Sequence, residues 1–248
     1  MKTRFTEWLL VVALLVSPFL LTKSFSQEKP RDWTHWSKKE AEKLLQDSPW
    51  AKTQVDTNVT EMFYSPTSDA RVTRNAPNSG ARLEEGATNQ EVNVTFNVRF
   101  FSARPIRQAL VRLIELQNSL DQTAIERLHE YAELKPSDAV IVTVTFQSTD
   151  KRSLAKLTEI FNSASSSSLK NSTYLEMRDG RRIFLQQYVP PGADGFGARF
   201  IFPRNVDDHP YMTIESGEVR FSTEYSPNLR INTRFNISSM VYGGGLEY

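Results

Sequence analysis

Apolar and polar residues alternate without a break from Glu91 to Phe100. Val92, Val94, Phe96, Val98 and Phe100 fall on one side of a period of two, and Asn93, Thr95, Asn97 and Arg99 on the other. This predicts a strand with one buried face, opening a main domain at Glu91. After Pro105 the period lengthens: Ile106, Ala109, Leu110, Leu113 and Leu120 share a helical face, with Arg107, Gln108, Arg112 and Glu115 turned elsewhere. Asp121 is placed to cap a second helix carrying Ile125, Leu128 and Ala132. Asp150 is placed to cap a third, built on Leu154, Leu157, Ile160 and Phe161. Between them Val140, Val142, Val144 and Phe146 repeat the strand pattern.

Past a serine-rich loop, Ser163 to Ser168, helical spacing stops. The stretch TYLEMRDGRRIFLQQYV reads as a hairpin, with Asp179-Gly180 supplying the positive φ angles of a tight turn. Strand-like runs follow at Ala198 to Phe202, Glu218 to Tyr225 and Leu229 to Ile237, divided by Pro203, Pro210 and Pro227. About seven strands, with the helices gathered in the first half of the domain, call for antiparallel sheets. The expected fold class is therefore α+β and β-rich. A β-sandwich-like domain with about three inserted helices is the first choice and a two-layer α+β sheet the alternative.

Upstream, Ser37 and Glu40 form a capping box that starts a helix at Lys38. Ala41, Leu44 and Leu45 make its apolar stripe, and Pro49 ends it after about ten residues. Trp33 and Trp36 precede this helix and Trp50 follows it. Gln54 to Tyr64, with Val55, Val59 and Phe63, could add a strand. Ser65 to Gln90 has almost no large apolar residues and reads as an exposed linker, open to disorder. At the start, Met1-Lys2-Thr3-Arg4 is positive, and Trp8 to Leu21 is apolar apart from Ser17 and Pro18. A run of about 14 residues falls short of the roughly 20 that a helix needs to span a bilayer. It reads as a signal peptide, cut after the small residues Ser24 and Ser26, before Gln27. The expected organisation is a signal peptide over 1–26, an N-terminal helix and strand over 27–64, a linker over 65–90 and the main domain over 91–248.

Composition narrows the partners. Lys and Arg number 30 against 29 for Asp and Glu, with no basic block, so nucleic acid is not expected as a partner. The absence of cysteine excludes a disulfide framework and a lipid-modified cysteine. No cofactor is expected.

Four stretches, WTHWSKKEAEKLLQDSPWA, VRFFSARPIRQALVRL, FIFPR and FNISSMVYGGGLEY, carry a resemblance to a family of uncharacterised exported bacterial proteins. The likeness runs from Trp33 to the C-terminus and implies no reaction, ligand or catalytic residue. The last stretch departs from the pattern near Gly244, where a charged residue is expected, and the run Gly243 to Gly245 leaves the pairing of that strand open.

Candidate chemistry is sparse. His35 has no second His or Cys at ligand spacing, so it is read as structural. Trp33, Trp36 and Trp50 could present an aromatic platform to a sugar or peptide, or pin the short helix to the core. Asp207, Asp208 and His209, with Asp194 upstream, are the most polar cluster and could take a divalent cation if the fold added a ligand. A solvated turn is the alternative reading, because neighbours in an extended segment point opposite ways. GADGFGARF has the wrong glycine order for a dinucleotide loop and reads as a flexible turn. No serine sits in a nucleophile elbow, His129 reads as the boundary of a helix face, and Glu84-Glu85 falls in the linker. Met240, Tyr242, Leu246 and Tyr248 partly resemble the terminal strand of an outer-membrane barrel, but the predicted helices are too long to be its turns. The function expected is a non-catalytic binding or structural protein of the cell envelope, periplasmic or extracellular, which meets another protein or an envelope component. It is not inserted in the membrane once the signal is cut. A small-ligand or lipid carrier and a hydrolase with a carboxylate-based site are the alternatives.

Overall fold

The computed structural model describes residues 32–57, 93–134 and 138–248. Residues 1–26, expected to be a signal peptide, and 65–90, expected to be a linker, lie outside them. Helix α1 (Lys38–Gln46) starts from the predicted capping box: the Ser37 N–H donates to the Glu40 carboxylate at 2.7 Å, and the Glu40 N–H to the Ser37 hydroxyl at 3.3 Å. Ala41 and Leu45 bury its stripe. Strand β1 (Ala51–Asp56) follows Trp50 at once, so it begins ahead of Gln54; the expected continuation through Val59 and Phe63 lies outside the described residues. Strand β2 (Val94–Phe100) buries Val94, Phe96, Val98 and Phe100 as the alternation requires.

Helix α2 (Arg104–Gln117) takes Pro105 into its first turn, where no intrahelical N–H bond is lost. It ends at Gln117, which leaves Leu120 in the connection rather than on its stripe. Helix α3 (Gln122–Ala132) and helix α4 (Lys151–Ser163) carry the predicted aspartate caps: Asp121 accepts from the Ala124 N–H at 2.7 Å and Asp150 from the Ser153 N–H at 2.8 Å. They flank strand β3 (Ala139–Ser148). On α4 the buried arc is Ser153, Leu157 and Phe161, which turns Leu154 to the rim at 37% exposure and corrects its expected core place. The serine-rich loop holds a short helix α5 (Ser166–Leu169) capped by Ser165.

The remaining strands are β4 (Tyr174–Met177), β5 (Arg182–Phe184), β6 (Gln187–Val189), β7 (Ala198–Pro203), β8 (Asn205–Val206), β9 (His209–Pro210), β10 (Glu218–Ser226), β11 (Leu229–Asn236), β12 (Val241–Tyr242) and β13 (Gly245–Leu246). Strands outnumber the expectation partly because the run from Arg182 to Val189 divides. β5 pairs with β4, whereas the Gln186 N–H and β6 turn to Ile201 and β7. Only Gly180 has positive φ in the β4–β5 turn. With the Gly180 N–H on the Met177 carbonyl and the Met177 N–H on that of Arg181, the link is a three-residue turn and not a two-residue Asp-Gly one.

Sheet 1 has the order β1-β2-β3-β7-β6 and sheet 2 the order β11-β10-β4-β5. Both are antiparallel and open at their edges, and the fold is mixed α+β. The inward faces meet through aromatic edges: Phe100 on Phe235 at 4.8 Å, Phe200 on Phe221 at 5.1 Å and Phe202 on Phe221 at 6.3 Å between ring centroids. Phe161 of α4 joins them, stacked on Tyr225 at 4.4 Å. At one margin Gln54 of β1 stands in for a strand. Its amide donates to the Arg230 carbonyl at 2.9 Å and accepts from the Asn232 N–H at 2.8 Å, tying the edges of the two sheets. The open question at Gly243 to Gly245 resolves into a hairpin. Gly243 and Gly244 take the positive φ angles of its turn, and Val241 and Tyr242 pair with Leu246 and Gly245.

Candidate functional site

Sheet 2 is built from strands that alternate strictly. Leu175, Met177, Ile183, Val219, Phe221, Leu229, Ile231 and Phe235 are buried, so the residues between them make up the opposite face. There one row crosses all four strands: Arg234 lies opposite Arg220, Arg220 opposite Glu176, and Glu176 opposite Arg182. Two of the three guanidinium groups, those of Arg220 and Arg182, share the Glu176 carboxylate. Glu176 accepts from Nη2 of Arg220 at 2.5 Å and from Nε of Arg182. Arg234 reaches Glu218 only at 3.6 Å. Two like charges directly opposite each other destabilise a bare antiparallel sheet, and here Arg220 and Arg234 hold that relation.

Arg234, Arg220 and Glu176 of the row, with Glu218, line a cleft of about 650 Å³ that Arg178 and Asn236 also border, while Arg182 lies outside it. Burial alone would raise the Glu176 carboxyl, but hydrogen bonds and charge from Arg182 and Arg220 outweigh it and hold the group below the usual glutamate range. The Asn236 side-chain oxygen accepts from the Ser238 N–H at 3.0 Å and hydroxyl at 2.7 Å, which leaves its NH2 as the edge for another partner. The next row brings Tyr174 opposite Phe184, with ring centroids 5.9 Å apart and Arg182 4.3 Å above the Tyr174 ring. Phe184 is 46% exposed. Planar guanidinium forks fit carboxylate, sulfate and phosphate oxygens in pairs, so this face can hold an anion. A general acid needs a raised carboxyl pKa, and Glu176 is shifted the other way.

The residues singled out from sequence lie elsewhere. Trp33 and Trp50 are buried, and their indole N–H groups are taken, by the Glu133 carboxylate at 2.9 Å and the Glu247 carbonyl at 2.7 Å. Trp36 is half-buried, with its carbonyl receiving Arg112 Nε at 2.8 Å. Trp33 and Trp50 thus leave little ring surface open, whereas Trp36 keeps part of its surface exposed. His35 is exposed and touches Thr34. Asp207 and Asp208 form the exposed two-residue turn between β8 and β9, both with positive φ, and His209 pairs with Val206. Asp194 is not beside them: it binds the Phe196 N–H at 3.1 Å and Arg199 at 2.8 Å. Among the described residues no three His, Cys, Asp or Glu side chains gather as metal ligands would.

A second polar cluster is internal. The Glu247 carboxylate caps α2 through the Arg104 N–H at 3.2 Å and meets Arg104 Nε at 3.3 Å, while Glu133 takes both Trp33 and Gln108. It fastens the C-terminal hairpin and the tryptophan segment to the start of α2. Neither this cluster nor the arginine row stood out in the sequence, although the row left a signal. A short turn at Pro227-Asn228 and a register shift between Glu224 and Ser226 together set the β10–β11 pairing and bring the arginines of EVRFS and NTRFN face to face. Comparisons with family models, with curated proteins and with solved structures give no match to this chain.

Proposed function

We propose that this is a non-catalytic binding protein of the bacterial cell envelope that holds an anionic partner on the open face of sheet 2. The observation that carries the reading is the row Arg234, Arg220, Glu176, Arg182, in which three guanidinium groups lie in line with one carboxylate that only two of them hold, beside an open cleft. A bound anion would relieve the Arg220–Arg234 repulsion and complete the charge balance of the row. The same reading takes the two sheets as layers of a sandwich-like body, supported by the Phe100–Phe235 and Phe200–Phe221 contacts. Export rests on the charged and apolar segments before Gln27. The space between the sheets is filled by Phe96, Phe100, Phe200, Phe221 and Phe235, which does not favour an apolar-ligand carrier.

The test is retention on a dextran-sulfate matrix at low salt. The double variant Arg220→Gln, Arg234→Gln should elute well before the parent protein. The variant Arg127→Gln, Arg152→Gln removes equal charge from helix surfaces and should elute near it. Equal shifts for the two variants would reduce the effect to net charge and sink the reading.

A further inference from the structure

We propose that the partner on the arginine face is an acidic polysaccharide chain, hydroxyl-rich and with carboxylates on only some of its sugars. This rests on the reading of that face as an anion site and names the class of anion. Three features of the face select it. The first is the charge pattern. Arg182, Arg220 and Arg234 are interleaved with Glu176 and, in the row on the side away from Tyr174, Glu218. A dense phosphate backbone carries one charge per nucleotide and is neutralised by unbroken runs of Lys and Arg, so two carboxylates in the floor of the cleft would repel it. A sparsely charged glycan puts its carboxylates on the guanidinium groups and leaves hydroxyls beside Glu176 and Glu218, which can accept their protons.

The second feature is the uncharged polar residues that flank the arginine row on both sides. Ser222 and Asn232 lie opposite each other in the row of Tyr174, and Asn236 lies opposite Glu218. The Asn236 amide is oriented by Ser238 so that its NH2 is presented. These groups match hydroxyls and ring oxygens. The third is the aromatic pair. Phe184 leaves about half its surface uncovered beside Tyr174 on the same face as the arginines. It offers a flat apolar surface to the C–H side of a sugar ring within one strand row of the charge cluster. All the paired cations are arginines, whose forks bind a carboxylate with two parallel hydrogen bonds.

The experiment titrates the purified chain with three probes: a hyaluronan octasaccharide, in which uronic acids alternate with neutral sugars; cellohexaose, which is neutral; and an eight-residue oligothymidylate. The octasaccharide should bind at least about tenfold more tightly than either of the others. Arg220→Gln should weaken it about tenfold or more, the cost of a lost charge-assisted hydrogen bond. Phe184→Ala should weaken it several-fold, the usual size of one ring-stacking contact. Phe184 is exposed and Arg220 part-exposed, and a cooperative thermal unfolding transition of each variant checks that it folds. Oligothymidylate binding as tightly as the octasaccharide, in an Arg220-dependent way, would overturn the glycan and leave the anion site standing. Octasaccharide binding that ignores Phe184→Ala would likewise reduce the face to a plain charge patch. If no probe binds in an Arg220-dependent way, the anion reading falls with it.

Discussion

Both sheets carry arginine on a polar strand position, and the two treat it in opposite ways. On sheet 1, Arg99 lies beneath the end of α1, donating through Nε to the Leu45 carbonyl at 2.6 Å and through Nη1 to the Thr145 hydroxyl at 3.1 Å. Burial pushes its guanidinium down to about 10. On sheet 2, Arg220 and Arg234 face each other with Glu176 and a distant Glu218 as their acceptors. An arginine bonded to main chain and covered by a helix belongs to the fold. A row with more cations than acceptors, left open, is material for recognition.

The largest expected effect separates the two sheets at their turns. Gly197, leading into β7, has φ +82°, and a Cβ there would stand 2.3 Å from the Val144 carbonyl oxygen and 2.7 Å from the Thr145 methyl. The stretch read as a flexible turn is therefore clamped against β3. Gly197→Ala should cost about 3 kcal/mol or more, visible as a fall in the denaturation midpoint. Gly180, in the β4–β5 turn, has φ +87° but nothing within 4 Å of where a Cβ would stand, so Gly180→Ala should cost only about 1 kcal/mol. Equal losses would erase the contrast between a packed sheet 1 and an open sheet 2.

The arginines themselves come next. Arg99→Leu should cost about 2 kcal/mol, because it leaves the Leu45 carbonyl without its donor in a covered site. Arg220→Gln should cost less, about 1 kcal/mol, because the pair with Glu176 is only part-exposed and Glu176 keeps Arg182, and its larger effect should appear in ligand binding. Chemical denaturation of the two variants side by side decides this, and the reverse ranking would make the row a structural device.

Acid sharpens the same contrast. The Glu176 carboxyl sits below its ordinary value in the folded chain, so its contribution is fully present above about pH 4.5, the unfolded value. It is lost as pH falls through the folded one. The parent protein should lose stability faster than Glu176→Gln on going from pH 5 toward pH 2. Parallel curves would mean that Glu176 is not gripped by Arg182 and Arg220 as the geometry has it.

Much of the fold was legible in residue patterns. The Ser37–Glu40 box, the Asp121 and Asp150 caps and the alternation from Val94 to Phe100 rest on neighbours within a few positions, and each formed as read. What depended on partners far along the chain was not legible. Nothing near Arg104 announces that Glu247 will cap its helix. Nothing in RRIFLQQYV tells that Arg182 to Phe184 and Gln187 to Val189 will join different sheets. The arginine row was hidden for a related reason: arginines at alternate strand positions look like any solvated face until the register sets them opposite one another. Tryptophan and histidine are rare in this chain, and rarity suits a buried anchor as well as a site.

The smallest predicted effect has an unusual sign. Arg234→Gln removes a cation that is 66% exposed at its side chain and held to Glu218 at 3.6 Å, an ion pair of little worth at that exposure. It also removes the like charge directly opposite Arg220, which costs the sheet a few tenths of a kcal/mol. The variant should therefore be more stable than the parent by about 0.2–0.5 kcal/mol at low ionic strength. The gain should vanish in about 1 M salt, where the screening length falls to roughly 3 Å. The matching change on sheet 1, Arg99→Gln, should destabilise at every salt concentration, because its interactions are short, covered hydrogen bonds. If Arg234→Gln instead weakens the fold, the guanidinium has a stabilising role that the Glu218 distance does not account for, and the two sheets use arginine alike. If it strengthens the fold while weakening the binding of an anion, the repulsion is retained because something outside the chain relieves it.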